Sequence, residues 1–411
     1  MSRSRSASSE RAVVSPNDLV EARSPKVRRV TVGGRVAGVS STRIRLADAF
    51  DAIDVSLASP GELRVGDLAV FSGTWTGKDV VRARLLELHA AEQSAPTGEF
   101  ARLAWTGTGQ RLRRRAVALA AIRRFFAARR FVEVDTPVRA RTPGADSHVE
   151  GIRAGRRWLI TSPEFHMKRL LVGGMPRIYQ LVHCTRADEA GPLHEPEFLM
   201  LEWYRGFSGQ GAVMRDTEQL VATVARAISG GPSLRSQNGR RIDATPPYPR
   251  LTVSEAFRRH AGVADAADLA ARDEDRFFQL LVDRVEPALA ARRTPVFLCE
   301  YPISQASLAR PAPHDATVAE RFELYAGGVE LCNGFGELTD PREQKRRFAQ
   351  ERKRRRRQGR PAYPVDDRFL DSLREGMPPA GGNALGVDRL VALACGVATI
   401  AEVQAFPFCR T

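Results

Sequence analysis

The chain has 411 residues, 43% hydrophobic and 27% charged, which supplies one large core or two unequal domains and excludes a disordered tail or a fibre. Lys and Arg outnumber Asp and Glu by 63 to 48, a formal net charge of +15 that suits an acidic partner or a phosphorylated substrate without naming either. No apolar run reaches the ~18 residues of a membrane span, and the Arg/Ser-rich start, Ser2 to Arg11, lacks the apolar stretch of a secretory signal, so a soluble cytoplasmic protein is expected.

Residues 1–26 are rich in Ser, Arg and Pro with little periodicity, which predicts a disordered basic arm. Over 27–92, short β-like runs at Val30–Val32, Thr42–Leu46, Ile53–Leu57, Leu68–Phe71 and Val80–Leu88 are set off by Gly-marked turns, the pattern of a small barrel. Leu63-Arg64-Val65-Gly66-Asp67, ahead of Gly73-Thr74-Trp75, resembles the rhythm of an OB fold. Few rings beyond Phe50 and Trp75 are expected to be exposed for bases to stack on. A structural or protein-docking role for the barrel is an equal expectation.

Small and polar residues over 93–109 predict a linker, and Leu112, Leu119, Ile122 and Phe126 predict a helix starting near Gln110. From 110 to 411 the chain reads as one domain whose helices and strands are irregularly spaced, which speaks against a doubly wound parallel sheet. The five cysteines, Cys184, Cys299, Cys332, Cys395 and Cys409, lack CxxC spacing, so neither a disulfide framework nor a zinc site is expected, only buried thiols. Arg342 to Arg360 holds eleven Lys/Arg against two Glu. As a helix it would carry cations all round, which predicts a solvated face, with a docking surface for an acidic partner as the alternative.

Four constellations can carry chemistry. Ser162-Pro163-Glu164 follows the strand-like Trp158-Leu159-Ile160, which places a carboxylate at a strand end. It reads equally well as the turn and cap of a helix through Met167–Leu171. Tyr179–His183 and Phe198–Tyr204 read as a strand and its return, with Phe198, Met200, Glu202 and Tyr204 on one face by alternation. An acid there needs a cationic partner. Glu330 and Glu337 flank Leu331-Cys332-Asn333-Gly334-Phe335-Gly336, and two carboxylates in an apolar strand call for a cation, magnesium with a nucleotide or a substrate ammonium. Their odd separation requires a bulge at Gly334 or Gly336 if they converge. Finally, Gly381 to Arg389 is a Gly-rich strand-to-helix turn where backbone can approach a phosphate and Arg389 can contact it.

In order, these segments resemble the signature motifs of class II aminoacyl-tRNA synthetases. Phe131-Val132-Glu133-Val134-Asp135-Thr136-Pro137 is similar to motif 1, Arg186 with the loop to His194-Glu195-Pro196-Glu197-Phe198 to motif 2, and Ala384-Leu385-Gly386-Val387-Asp388-Arg389-Leu390 to motif 3. Ser162 to Leu171, Leu201-Glu202-Trp203-Tyr204 and Asn333 to Leu338 resemble the lysine-specific branch, and within it the truncated paralogues that attach lysine or β-lysine to elongation factor P.

The resemblance implies an α+β class II synthetase catalytic fold, an antiparallel sheet flanked by helices, behind a small N-terminal OB-like β-barrel. It implies a homodimer through motif 1, ATP and Mg2+ as cofactors, and no membrane. By the resemblance Arg186 holds the α-phosphate and the substrate carboxylate, Phe198 stacks the adenine and Arg389 holds the γ-phosphate. Ala187, Asp188, His194 and Glu195 belong to the ATP loop, with Leu331 and Gly386 supplying backbone. Glu330 and Glu337 are implied to bind the metal, with Glu337 also catalytic. Ser162, Pro163, Glu164, Glu202, Tyr204, Asn333, Glu337 and Ala384 form the amino-acid pocket. Ser162 and Ala384 stand where lysyl-tRNA synthetases usually have Ala and Gly, which favours the elongation-factor branch over tRNA as acceptor.

The motif 2 loop departs from the family. Arg186-Ala187-Asp188 stands for the usual Arg-Asn-Glu, and Pro192-Leu193-His194-Glu195 for Arg-x-His-Asn. The expected effects are a shorter reach to the adenine, one phosphate contact fewer and an added negative charge near ATP. The rival readings are a lysyl-tRNA synthetase that uses the barrel on tRNA, and a non-catalytic nucleic-acid- or protein-binding paralogue.

Overall fold

Alternation builds the first unit. In Leu68–Trp75 every second residue is buried, so Ala69, Phe71 and Trp75 point inward while Val70 and Ser72 stay half-exposed. This strand, β4, closes a barrel with β1 (Arg28–Val39), β2 (Arg43–Ala47), β3 (Ala52–Ser56) and β5 (Val80–His89) in the order β1-β2-β3-β5-β4. Closure removes the open sheet edges that would otherwise invite pairing with another chain. Trp75, expected at the surface, is 2% exposed and fills the barrel core with Val32, Ile44, Val55 and Phe71. Phe50 is exposed, with the Arg113 guanidinium 5.7 Å from its ring centre.

The computed structural model describes residues 12–22, 27–92, 98–144 and 149–411, and the chain divides at Arg113/Arg114 into two units. The expectation of a disordered arm over 1–26 is corrected for 12–22, where a helix, Pro16–Glu21, has formed. Ser15 and Asp18 make a capping box, Pro16 sits in the first turn, and Leu19 is buried against the barrel. Ser-Pro-Asn-Asp is a helix start signal that low overall periodicity hid. The rest of that arm, 1–11 and 23–26, lies outside the described residues. So does 93–97 of the expected linker, and from Ala101 the chain is already helical, with a π-helical turn Ala101–Trp105 ahead of the Thr108–Ala127 helix.

The second unit is built on an eight-stranded sheet in the order Arg250–Thr252, Val296–Cys299, Arg321–Ala326, Val329–Gly336, Ala380–Gly386, Glu197–Gly206, Arg177–Thr185, Val132–Glu133. The six central strands pair antiparallel, and the strand at each end pairs parallel with its neighbour. Leu199, Leu201 and Trp203 face a core shared with Val213 and Leu220 of the Gln210–Ser229 helix and Leu390 of the Val387–Cys395 helix. Full burial of each such side chain contributes about 1.5–3 kcal/mol. Asp388, at the start of the latter helix, accepts from Arg115 and from the Leu199 amide (2.9 Å). One face of the sheet is thus covered, and on the other Phe165, Met167 and Phe369 pack against Ile178 and Tyr204.

The basic helix, Pro341–Arg357, is not solvated all round. Gln344, Arg347, Phe348, Glu351 and Arg355 recur every three or four residues as a buried stripe. Arg347 donates to the Ala306 and Ala309 carbonyls, so a cation serves as a core residue by satisfying backbone acceptors. Cys184 and Cys332 are buried, Cys299 and Cys395 half-buried, and Cys409 is exposed at the chain end, against the expectation for all five. Among the described residues no helix is long and apolar enough to cross a membrane.

Candidate active site

One polar row crosses that second face, with Gln180, Glu202 and Glu323 buried. Gln180 lies opposite Glu202, Glu202 opposite Ala384, Ala384 opposite Asn333, and Asn333 opposite Glu323. Opposed residues of antiparallel strands project to the same side, so five strands contribute neighbours to one surface. Phe198, Met200, Glu202 and Tyr204 share that side, as their alternation predicts. Over it lies a cavity of about 340 Å³ lined by Arg186, His194, Glu195, Phe198, Glu330, Leu331, Asn333, Ala384, Gly386 and Arg389.

The Arg186 loop connects two strands of a hairpin. Its start is held by the Arg186 amide on the Pro196 carbonyl and the Ala187 amide on the Glu150 carbonyl, both at 2.9 Å. The Arg186 guanidinium stands 5.1 Å from the Phe198 ring centre, its Nε is buried without a partner, and Glu189 is 3.7 Å away. Ala187 and Asp188 do not line the cavity. Asp188 has φ +63°, a left-handed conformation that Asp tolerates better than most residues, so the departure at this position has a backbone reason. The Pro192 carbonyl accepts from Ile400, and the Glu195 carboxylate accepts the Phe408 amide at 2.9 Å, which engages the added negative charge.

Arg389 is clasped from two sides, donating to the Glu330 carbonyl (2.8 Å) and lying 2.7 Å from His194 Nε2. Burial, then the Arg389 charge, holds His194 below its usual pKa, so the neutral ring can accept from Arg389. Glu330 is pushed above the usual carboxylate range by burial and then by Glu323, against the pull of Arg389 and Arg186.

Glu330 and Glu337, the pair implied to bind the metal, project to the same side of the sheet but stand in different surroundings. The bulge exists, at Leu331: Leu324 faces Cys332, yet Tyr325 faces Glu330. It turns Glu330 to the side of Asn333 and Phe335, with Glu323 as its neighbouring acid. Gly334 and Gly336 serve another need, since a Cβ there would strike the Phe322 ring and the Glu320 carboxylate. Glu337, past the strand end, does not line the cavity and lies 2.6 Å from Lys168 Nζ. Glu323 is held by Arg321 (2.5 Å), Tyr325 (2.8 Å) and Tyr301. No group of three or more His, Cys, Asp or Glu side chains among the described residues could hold a metal ion. Two carboxylates over a cavity fit magnesium, which keeps waters and takes substrate phosphates as further ligands.

Below Ala384 lies a second cluster. Lys168, fully buried, is 2.5 Å from Glu164 and 2.6 Å from Glu337. Burial opposes its charge, and the two carboxylates override that and hold the ammonium well above its usual pKa. Glu202 accepts from Ser162 Oγ (2.7 Å) and from Tyr204 (2.6 Å). Burial, then Glu164, pushes Glu202 up to about 8. Burial, opposed by Lys168 and reinforced by Glu164, pushes Glu337 up to about 7. Two of these carboxylates contact the one buried ammonium, and Glu202 feels its charge without contacting it. Pro163 caps the Glu164–Val172 helix that presents Glu164 and Lys168 one turn apart.

Sequence reasoning missed Lys168 and Glu323, and it placed Arg354 in a basic run rather than in the cavity wall that it reaches. Lys168 was available as the i+4 partner of Glu164. Glu323 stands on a strand where Arg321, Glu323 and Tyr325 alternate. Against known sequence families, residues 96–410 match the one described as tRNA synthetases class II (D, K and N).

Proposed function

The chain belongs to the class II tRNA synthetases (D, K and N), and we propose that it activates lysine or β-lysine with ATP and passes the acyl group to a lysine side chain of elongation factor P. Adenylation of an amino acid, with ATP and magnesium, is the chemistry of the family. The observation that carries the choice of substrate is the makeup of the buried cluster: Glu164, Glu202 and Glu337 around one buried ammonium, Lys168. An aspartate side chain would add a fourth carboxylate, and an asparagine amide would bring no charge to ionise Glu202 and Glu337. An ammonium favours their ionised forms, and a pair of opposite charges at 4 Å is worth about 4 kcal/mol at an effective dielectric of 20.

In the first step the substrate carboxylate attacks the α-phosphorus of ATP and pyrophosphate leaves. Arg186 supplies positive charge where the attack accumulates negative charge, and Phe198 offers a face to the adenine. Glu323 and Glu330 would hold magnesium, which when bound neutralises phosphate charge. In the second step the deprotonated acceptor amine attacks the carbonyl and AMP leaves.

A groove of about 520 Å³ lined by Arg346, Lys353 and Arg357 shares Ser304, Ser307 and Arg354 with the cavity, which supports an acidic acceptor. Val132, 51% exposed in the motif 1 segment, supports the homodimer. The closed barrel favours tRNA as a second reading, although its buried Trp75 offers no stacking platform. To test the proposal, ATP, magnesium and labelled lysine or β-lysine are supplied with elongation factor P and bulk tRNA together. Label on the protein is expected. Label on tRNA alone would replace the acceptor, and no label anywhere, with no pyrophosphate exchange, would leave a binding protein.

A further inference from the structure

We infer that Arg355 is a positioning residue for nucleotide binding, acting through Glu150 on the loop that carries Arg186. The inference rests on the reading of the cavity as an ATP site. Arg355 lies within a run of six cations, Arg352 to Arg357, yet its side chain is 3% exposed. Its Nη2 donates to both Glu150 carboxylate oxygens at 2.8 Å, Nη1 to the Val149 carbonyl at 3.1 Å, and Nε to the Pro361 carbonyl at 2.7 Å. The Tyr363 ring centre lies 4.1 Å from the guanidinium carbon, and the Tyr363 hydroxyl donates to Glu150 (2.9 Å) while accepting the Gly151 amide (2.7 Å).

Such a cluster fixes the backbone of Glu150, and that backbone is what the loop leans on. The Glu150 carbonyl accepts the Ala187 amide at 2.9 Å in an isolated antiparallel bridge. Arg186, one residue earlier, is otherwise tied by its amide to Pro196 in the returning strand. One side of the hairpin start is therefore anchored by its own partner strand and the other by Glu150. Arg355 itself does not line the cavity, whereas Glu351 and Arg354 of the same helix do. Among the described residues the guanidinium reaches three separate acceptor groups in fixed directions, which a lysine ammonium on a flexible stem cannot reproduce.

The test is calorimetric binding of a non-hydrolysable ATP analogue with magnesium to full-length wild type, Arg355→Lys, Arg355→Ala, Glu150→Gln and the double variant Arg355→Ala/Glu150→Gln, with exposed Arg356→Ala as control. About tenfold weaker binding is expected for Arg355→Lys and for Glu150→Gln, the double variant falls no further than Arg355→Ala, because the two act in series, and Arg356→Ala matches wild type. Lysine binding stays within about twofold in every variant. Hydrogen exchange gives a readout free of nucleotide: the Ala187 amide should exchange faster in each Arg355 or Glu150 variant. Wild-type analogue affinity in Arg355→Lys, an equal loss of lysine affinity, or unchanged Ala187 exchange overturns the inference. Failure of wild type to bind the analogue overturns the reading of the cavity instead, and the exchange result still decides the clamp.

Discussion

A buried carboxylate that must ionise to hold a cation ties affinity to pH. Glu202 is pushed up to about 8 and Glu337 to about 7 in the free protein, so near neutrality the cluster retains protons. A bound ammonium favours the ionised forms and lowers both values, and binding therefore releases protons. Lysine affinity should rise with pH between about 6 and 8.5, by up to tenfold per unit for each proton released. Calorimetry in two buffers of different ionisation enthalpy measures the release, and a pH-independent affinity without proton release would mean the cluster is already ionised. The separation of Glu330 from Glu337 gives a second expectation. Glu330→Gln should raise the magnesium concentration for half-maximal pyrophosphate exchange about tenfold and leave lysine affinity nearly unchanged. Glu337→Gln should do the reverse, with about a hundredfold loss of lysine affinity from breaking a buried charged contact. A shifted magnesium curve in Glu337→Gln would show that the two carboxylates share an ion after all.

The basic helix shows how one element divides its charges by direction. Gln344, Arg347, Phe348, Glu351 and Arg355 face inward, while Arg346, Lys353 and Arg357 line the groove beside the cavity. Charge reversal at Lys353 and Arg357 should weaken acyl transfer to an acidic acceptor at least about tenfold at low salt, with the deficit shrinking at high salt and pyrophosphate exchange unchanged. Equal loss in both steps would sink the docking account. Composition supplied the charge of this helix but not its sidedness, because arginine occurs on both faces and its buried partners, the carbonyls of Ala306, Ala309 and Val149, come from distant segments. The barrel strands were legible because alternation is local, and Glu202 with Tyr204 for the same reason. The side that Glu330 faces was not, since the bulge at Leu331 reverses the parity on which alternation depends. The helix Pro16–Glu21 lay within a stretch whose low periodicity concealed a capping sequence.

At the scale of the whole chain, charge and chemistry are distributed unequally. Every residue assigned to the cavity and the buried cluster lies in Arg114–Thr411, so the barrel is left to act on the acceptor or on stability. A base-reading OB barrel needs exposed rings, and of the two candidates Trp75 is core and Phe50 is attended by Arg113. Stacking on an aromatic side chain is worth about 1–3 kcal/mol per base, roughly five- to 150-fold in affinity. If the barrel meets tRNA only through phosphate attraction to surface cations such as Arg43 and Arg45, Phe50→Ala should change bulk tRNA affinity by less than about twofold, while affinity falls steeply with salt. Fluorescence anisotropy across a salt series measures both. A loss of tenfold or more in Phe50→Ala at constant salt would make the barrel a reader of bases, and the acceptor would then be sought among tRNAs.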